Sequence, residues 1–203
     1  MAWRKVQRLL TCGAKVYLVA KEVLPDLQKA INDQRVVYLG TEYKQEFLQN
    51  TFLVIGATDD EALNARLSKE ANEANILCNI VDQPEKCNFI VPSLVVKGDL
   101  IIAISTGGKS PALAKRLRLE MDKQFGEEYT VFLNLLGRLR EMIKKQIEGQ
   151  KERQVIFEKL VYSDLINYIK NKDWQAVKQC LKEIIGKYFK ETELETLSKD
   201  SLL

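Results

Sequence analysis

Residues 52–82 read FLVIGATDDEALNARLSKEANEANILCNIVD. FLVIGA (52–57) and ILCNIV (76–81) are short, nearly continuous apolar runs rich in Ile, Leu and Val, the composition of strands buried on both faces. The polar, Ala-rich stretch 60–75 between them has helical character. Strand, helix, strand is a βαβ unit, which implies parallel strands and a right-handed crossover. Working toward the N-terminus, KVYLVA (15–20) and RVVYL (35–39) repeat the strand pattern, with helical candidates at 24–32 and 43–48. The chain opens on a further helix over 3–10 (WRKVQRLL), with Val6, Leu9 and Leu10 on one face and Arg4, Lys5 and Arg8 mostly on another. Gly13 stands where a helix C-cap glycine belongs.

Toward the C-terminus the pattern changes at Phe89. FIVPSLVV, KGD and LIIAIST read as a hairpin turning through Lys97, Gly98 and Asp99. Ser110 and Pro111 are an N-cap and a first-turn proline. Helices are expected over 111–125, 129–148, 151–161, 164–169 and 174–189, with a polar, frayed tail from Lys190. The expected fold class is α/β: a Rossmann-like parallel sheet lacking its first strand, a strand-containing region, and a helical C-terminal domain. The corresponding segments are 1–88, 89–128 and 129–203.

Composition narrows the chemistry. The 203 residues contain no His, which removes Ser-His-Asp and Cys-His nucleophile systems, HExxH zinc sites and His general bases. Acid–base work therefore falls to carboxylates, Lys, Tyr or Cys. Lys and Arg number 31 against 28 Asp and Glu, and the two signs are interspersed, weak grounds for a nucleic-acid partner. Cys12, Cys78, Cys87 and Cys180 show neither CxxC spacing nor a disulfide framework, and are expected to be reduced, mostly packed thiols. No apolar run approaches the roughly 20 residues that span a bilayer, and no signal-peptide core opens the chain. The expected location is the cytoplasm, without a membrane or a resident metal.

Three strings carry candidate chemistry. Ala57, Thr58 and Asp59 follow a buried strand and precede a helix, where ligands of doubly wound sheets bind; the same string also serves as a plain connection, with Thr58 or Asp59 capping the helix. Asp82 ends the next strand, either as a proton-exchanging carboxylate or as a turn former ahead of Pro84. Ser105, Thr106, Gly107, Gly108 and Lys109 run into a helix N-terminus, a place that attracts anions or simply a loop with an ordinary cap. Basic residues gather nearby at Lys115, Arg116 and Arg118, and later at Arg138, Arg140, Lys144 and Lys145, the usual pattern of a solvated face.

In this order and spacing, RKVQRLLTCGAKVYLVA (4–20), FLVIGATDDEALNARLSKEA (52–71) and LCNIVDQPEKCNFIVPSLVVKGDLIIAISTGGKSPALAKRLR (77–118) resemble the precorrin-2 dehydrogenase family, which includes the dehydrogenase/ferrochelatase part of siroheme synthase. The resemblance covers about residues 1–140 and extends more loosely beyond. It implies NAD-dependent oxidation of precorrin-2 to sirohydrochlorin, followed in some members by Fe(II) insertion, in a homodimer built from a Rossmann domain, a strand-containing dimerisation region at 89–128 and a helical C-terminal domain. By the same resemblance, the residue tied to the chemistry falls on Asp82. The adenosine side of NAD falls on Lys21 and Glu22, and the post-strand cofactor string on Ala57, Thr58 and Asp59. The tetrapyrrole's carboxylates suit Ser105, Thr106, the glycine N–H groups and Lys109.

The chain departs from the family at its start. Family members carry a strand and a G-G-G-x-V-A turn before the R-K string, where Met1 and Ala2 stand here. That turn gives close approach to the pyrophosphate, so the chain as written is expected to bind NAD poorly and to leave apolar strand edges exposed. A misassigned or truncated start, a natural variant that binds or metallates tetrapyrroles without redox activity, and a strand supplied by a partner subunit are the competing explanations. An oligomerising remnant without catalysis is the reading furthest from an enzyme.

Overall fold

The computed structural model describes residues 2–189. The tail from Lys190 lies outside the described residues. The chain forms two compact units, Met1–Val91 and Pro92–Leu203.

The first unit contains α1 (Ala2–Thr11), β1 (Val16–Val19), α2 (Pro25–Asn32), β2 (Val36–Gly40), β3 (Leu53–Gly56), α3 (Glu61–Glu73) and β4 (Leu77–Ile80). Gly13 ends α1 at φ 74°, where the amides of Gly13 and Ala14 donate back to the carbonyls of Leu10 and Leu9, both at 3.0 Å. The strands pair in parallel as β1 with β2, from Val16 opposite Val36, and as β3 with β4, from Leu53 opposite Leu77 to Gly56 opposite Ile80. Among the described residues these are two separate two-stranded sheets, each with its own small core. One core gathers Val6, Val16, Leu27, Ala30 and Val36. The other gathers Leu48, Leu67, Ala71, Ile76, Cys78 and Ile80.

That division corrects the expectation of strands buried on both faces. Only β4 approaches it, with Cys78, Asn79 and Ile80 buried, whereas Tyr17 of β1 is 50% exposed and Val37 of β2 is 40% exposed. A strand is buried on both faces and edges only when neighbours and helices surround it, and a two-stranded sheet leaves every strand at an edge.

The helix expected over 43–48 is also absent, replaced by a single 3-10 turn at Gln45–Leu48. Six residues cannot repay helix nucleation unaided, and Tyr43 is held elsewhere. Its hydroxyl donates to Glu70 Oε2 at 2.7 Å, while Arg66 reaches Glu70 Oε1 at 2.9 Å and lies over the Tyr43 ring. The bond from Tyr43, and then that from Arg66, hold the Glu70 carboxyl below its ordinary value of 4.5. A depressed carboxyl stabilises the fold above that ordinary value, and the contribution is lost as pH falls through the folded-state value. Glu70→Gln is therefore expected to be less stable than the parent at neutral pH, with the gap closing in acid. Denaturant midpoints taken between pH 7 and strong acid check this, and a gap independent of pH would refute it.

The second unit begins with the antiparallel hairpin β5 (Ser93–Lys97) and β6 (Leu100–Ile104), registered from Ser93 opposite Ile104 to Lys97 opposite Leu100. Of the two turn residues only Gly98 has positive φ, 56°, the pattern of a type II′ turn. Strand β5 starts four residues later than the apolar run from Phe89 suggests. Pro92 has no N–H to give to a ladder, and the amides of Asn88 and Phe89 instead donate to the Cys78 carbonyl at 3.1 and 3.2 Å. Helix α4 (Pro111–Gln124) packs on the hairpin, and Lys97 joins the two through Asp122 at 3.2 Å.

Helices α5 (Glu128–Gln146), α6 (Gln150–Val161), α7 (Leu165–Lys170) and α8 (Trp174–Ile185) complete the unit. Leu135, Leu139 and Ile143 recur on one face of α5 and meet Leu160, Leu165, Leu181 and Ile185 in the largest core. Helix α8 ends at Ile185 rather than at 189, with Gly186 as its C-cap. No helix among the described residues is long and apolar enough to cross a membrane.

Candidate functional site

The β3–β4 pair delivers two loops side by side. Gly56 ends β3 against Ile80, and a Cβ built there would lie 2.6 Å from Ile80 Cδ1, 3.1 Å from Asn64 Oδ1 and 3.3 Å from Leu67 Cδ2. Only glycine lets strand, neighbour strand and helix close on one another here. Ala57 and Asp59 then emerge exposed, with Thr58 half-buried between them. The cap of α3 is neither Thr58 nor Asp59 but Asp60, whose Oδ1 accepts the Leu63 amide at 2.9 Å. An N-cap side chain serves the amides two or three residues ahead, and helical geometry starts only at Glu61. Thr58 instead braces the loop: its hydroxyl accepts the Asp60 amide at 3.1 Å, and its carbonyl accepts from Asn64 Nδ2 at 3.0 Å.

One residue past β4 the Val81 amide still donates to the Gly56 carbonyl at 2.8 Å, so Asp82 leaves the sheet beside Ala57–Asp59. Asp82 is exposed and takes the left-handed conformation at φ 61°, which Asp and Asn tolerate better than other non-glycine residues. The loop is locked from within by Cys87, whose sulfur accepts the Ile80 amide at 3.1 Å and lies 3.3 Å from the carbonyls of both Ile80 and Gln83. Asn88 binds the strand below, accepting from the Cys78 amide at 2.6 Å and donating to the Ile76 carbonyl at 2.9 Å. All four cysteines are free thiols, and burial pushes that of Cys78 up to about 11.

Helix α1 adds a cation that the sequence patterns did not mark. Half-buried Lys5 feels the charges of Asp82 and Cys87; burial first, then Arg4 and Arg8, lower its pKa, and Asp82 and Cys87 act against that. Lys5 and Cys87 carry no local signal of these roles, because a helix cation comes under the charge of Asp82, and a loop thiol meets the Ile80 backbone, only in the folded chain.

The other expected residues occupy separate places. Lys21 and Glu22 are exposed just beyond β1, where the Ala20 amide donates to the Gly40 carbonyl at 3.1 Å and the Tyr38 hydroxyl donates to the Ala20 carbonyl at 2.9 Å. They belong to the β1–β2 pair, not to the pair that carries Asp82.

Ser105–Lys109 lies in the second unit, between β6 and α4. Gly107 and Gly108 both have left-handed φ, 60° and 78°, a sequence of angles that requires glycine. The Thr106 hydroxyl is engaged inside the loop, accepting the Ser110 amide and donating to the Ser110 carbonyl, both at 3.1 Å. Ser105 Oγ accepts the Gly107 amide at 3.2 Å, and Ser110 caps α4 by accepting from the Leu113 amide at 3.2 Å. Lys109 stands exposed at the helix entrance. Among the described residues no three His, Cys, Asp or Glu side chains gather as a metal site.

Comparison with known proteins accounts for most of the chain. Residues 1–93 match the family described as putative NAD(P)-binding, residues 97–124 the sirohaem biosynthesis protein central family, and residues 128–185 the sirohaem synthase dimerisation region. The siroheme synthase of Mannheimia succiniciproducens is 31% identical over 88% of this chain and 38% of its own length. Siroheme synthase 1 of Serratia proteamaculans is 35% identical over 78% of this chain and 33% of its own length. The chain thus spans about two fifths or less of the length of these curated relatives. Among solved structures, SirC, a precorrin-2 dehydrogenase, shares the fold with a TM-score of 0.74 at 22% identity, over 89% of this chain and 87% of that one.

Proposed function

This chain belongs to the family formed by the N-terminal part of siroheme synthase, and on that premise we propose that it oxidises precorrin-2 to sirohydrochlorin with NAD. The observation that carries the reading is the pairing of two loops at one strand end: Asp82 leaves β4 beside Ala57–Asp59, joined by the Val81–Gly56 hydrogen bond of 2.8 Å.

The residues fit a dinucleotide. Exposed Ala57 gives open access to the strand end, and the Asp59 carboxylate accepts hydrogen bonds from sugar hydroxyls but repels phosphate. Glu22 offers the same chemistry to an adenosine ribose and favours NAD over its phosphorylated form, with Lys21 beside it. Arg4, Lys5 and Arg8 supply positive charge on α1, which has no acidic residue in its first turn. Bound NAD would accept the hydride. Asp82 takes the proton released from the substrate carbon. Ser105–Lys109 holds a substrate carboxylate, with Lys109 as the charge and Thr106 as the brace that shapes the turn.

Segments 1–88, 89–128 and 129–203 would then be cofactor, hairpin and helical modules of a homodimer. The test is NAD titration followed by precorrin-2 turnover on this chain; the absence of both NAD binding and turnover would exclude dehydrogenase action. Lys109→Ala is expected to raise the KM for precorrin-2 about tenfold, the worth of one charge-assisted hydrogen bond, and Thr106→Ala is expected to raise it too, by releasing the turn that carries Lys109. Unchanged kinetics in both variants would remove the anion site.

The separation of β1–β2 from β3–β4 favours a second reading, because a dinucleotide normally lies across strands of one continuous sheet. In that reading the chain binds tetrapyrroles as a carrier or chelatase, with Fe(II) as substrate. Insertion of Fe(II) or Co(II) into sirohydrochlorin without NAD turnover would establish it.

A further inference from the structure

We propose that Asn64 is a positioning residue for loop 57–59, kept for the shape of that loop and at the expense of stability. The proposal rests on the reading of the loop as a nicotinamide-dinucleotide contact. Asn64 lies on the inner face of α3 with Leu67, Ser68 and Ala71, and is 1% exposed. That face packs against a core of Leu48, Ile76, Cys78 and Ile80, where an aliphatic side chain would be the natural occupant. Its amide is half-used: Nδ2 donates to the Thr58 carbonyl at 3.0 Å, but Oδ1 is buried without a hydrogen-bond partner. A buried, unmatched acceptor destabilises a fold, and native proteins keep one chiefly where function requires it.

What Asn64 obtains for that loss is control of Thr58. With the carbonyl fixed by Asn64, the Thr58 hydroxyl is aimed at the Asp60 amide, and Asp60 in turn caps α3 through the Leu63 amide. The chain Asn64, Thr58, Asp60 therefore sets the direction in which Ala57 and Asp59 present themselves. The missing Cβ of Gly56 belongs to the same arrangement, since it would lie 3.1 Å from Asn64 Oδ1. A leucine at 64 keeps the branching and the number of heavy atoms and removes the orphan oxygen, but it releases the Thr58 carbonyl.

The experiment compares the parent chain with Asn64→Leu and Asn64→Ala, using Tm, amide hydrogen exchange in the ligand-free protein, and NADH titration. Asn64→Leu is expected to match or exceed the parent Tm. Both variants should show about tenfold faster exchange at the Asp60 amide and about tenfold weaker NADH binding, which in Asn64→Leu runs opposite to the stability effect. A lower Tm in Asn64→Leu with parental exchange at Asp60 would make Asn64 an ordinary structural residue and overturn the proposal. So would parental exchange and NADH affinity in a folded Asn64→Ala protein. Failure of the parent chain to bind NADH would refute the cofactor reading alone, and the exchange measurement, which needs no ligand, would still decide the positioning role.

Discussion

Asp82→Asn is expected to lower precorrin-2 turnover by about two to four orders of magnitude, the usual contribution of a positioned proton acceptor. The substitution preserves size and shape but leaves an amide that cannot take up a proton at neutral pH. Asp82 occupies the left-handed region at φ 61°, and Asn tolerates that region as well as Asp does. The Cys87 contacts to the loop run through backbone atoms of Ile80 and Gln83, so they survive the change. Circular dichroism and Tm should match the parent while the appearance of sirohydrochlorin is nearly lost. Full turnover in Asp82→Asn would remove Asp82 as the base and turn attention to Asp59, the carboxylate of the neighbouring loop.

The largest structural effect is expected from Gly56→Val. The first added carbon alone would stand 2.6 Å from Ile80 Cδ1, and Ile80 is 2% exposed, so its side chain has no open space to move into. Relief requires a shift of β3, β4 or α3, and overfilling a packed core in this way costs about 3 kcal/mol. Because the helical core of the second unit is separate from the core around Ile80, the loss should fall on the first unit. Denaturant-dependent hydrogen exchange at the amides of β3 and β4, beside the fluorescence of Trp174 in α8, separates the two cores. The β3 and β4 amides should open at lower denaturant and the Trp174 transition should stay. Parental exchange at β3 and β4 would show that strand and helix have more freedom around Gly56 than their spacing implies.

The elements were legible because their signals are local. Alternation of apolar runs with helical stretches located β1 to β4, Gly13 ended α1, and Ser110 with Pro111 opened α4. Boundaries moved where a local signal was ambiguous: the sequence offers Thr58 or Asp59 as the cap of α3, and Asp60 takes the role because helical geometry begins only at Glu61. The Tyr43 segment carried helix-like spacing over too few residues, and its hydroxyl bond to Glu70 decided its conformation from 27 positions away.

For the site, the strand-end positions of Ala57–Asp59 and Asp82 followed from the βαβ pattern, since a strand's last residues and the loop after it are fixed by its register. Their neighbours did not. Lys5, Cys87 and Asn64 look in the sequence like a helix cation, a stray thiol and a polar interruption of an apolar face. Hydrogen bonding and charge are pairwise properties, and the partner of each of these residues is set by chain crossings that no local spacing records. The same holds for the sheet. The order of strands and helices was written in periodicity, which is a property of each segment alone; that the four parallel strands close as two pairs around two small cores was decided only when their edges met, or failed to meet, in three dimensions.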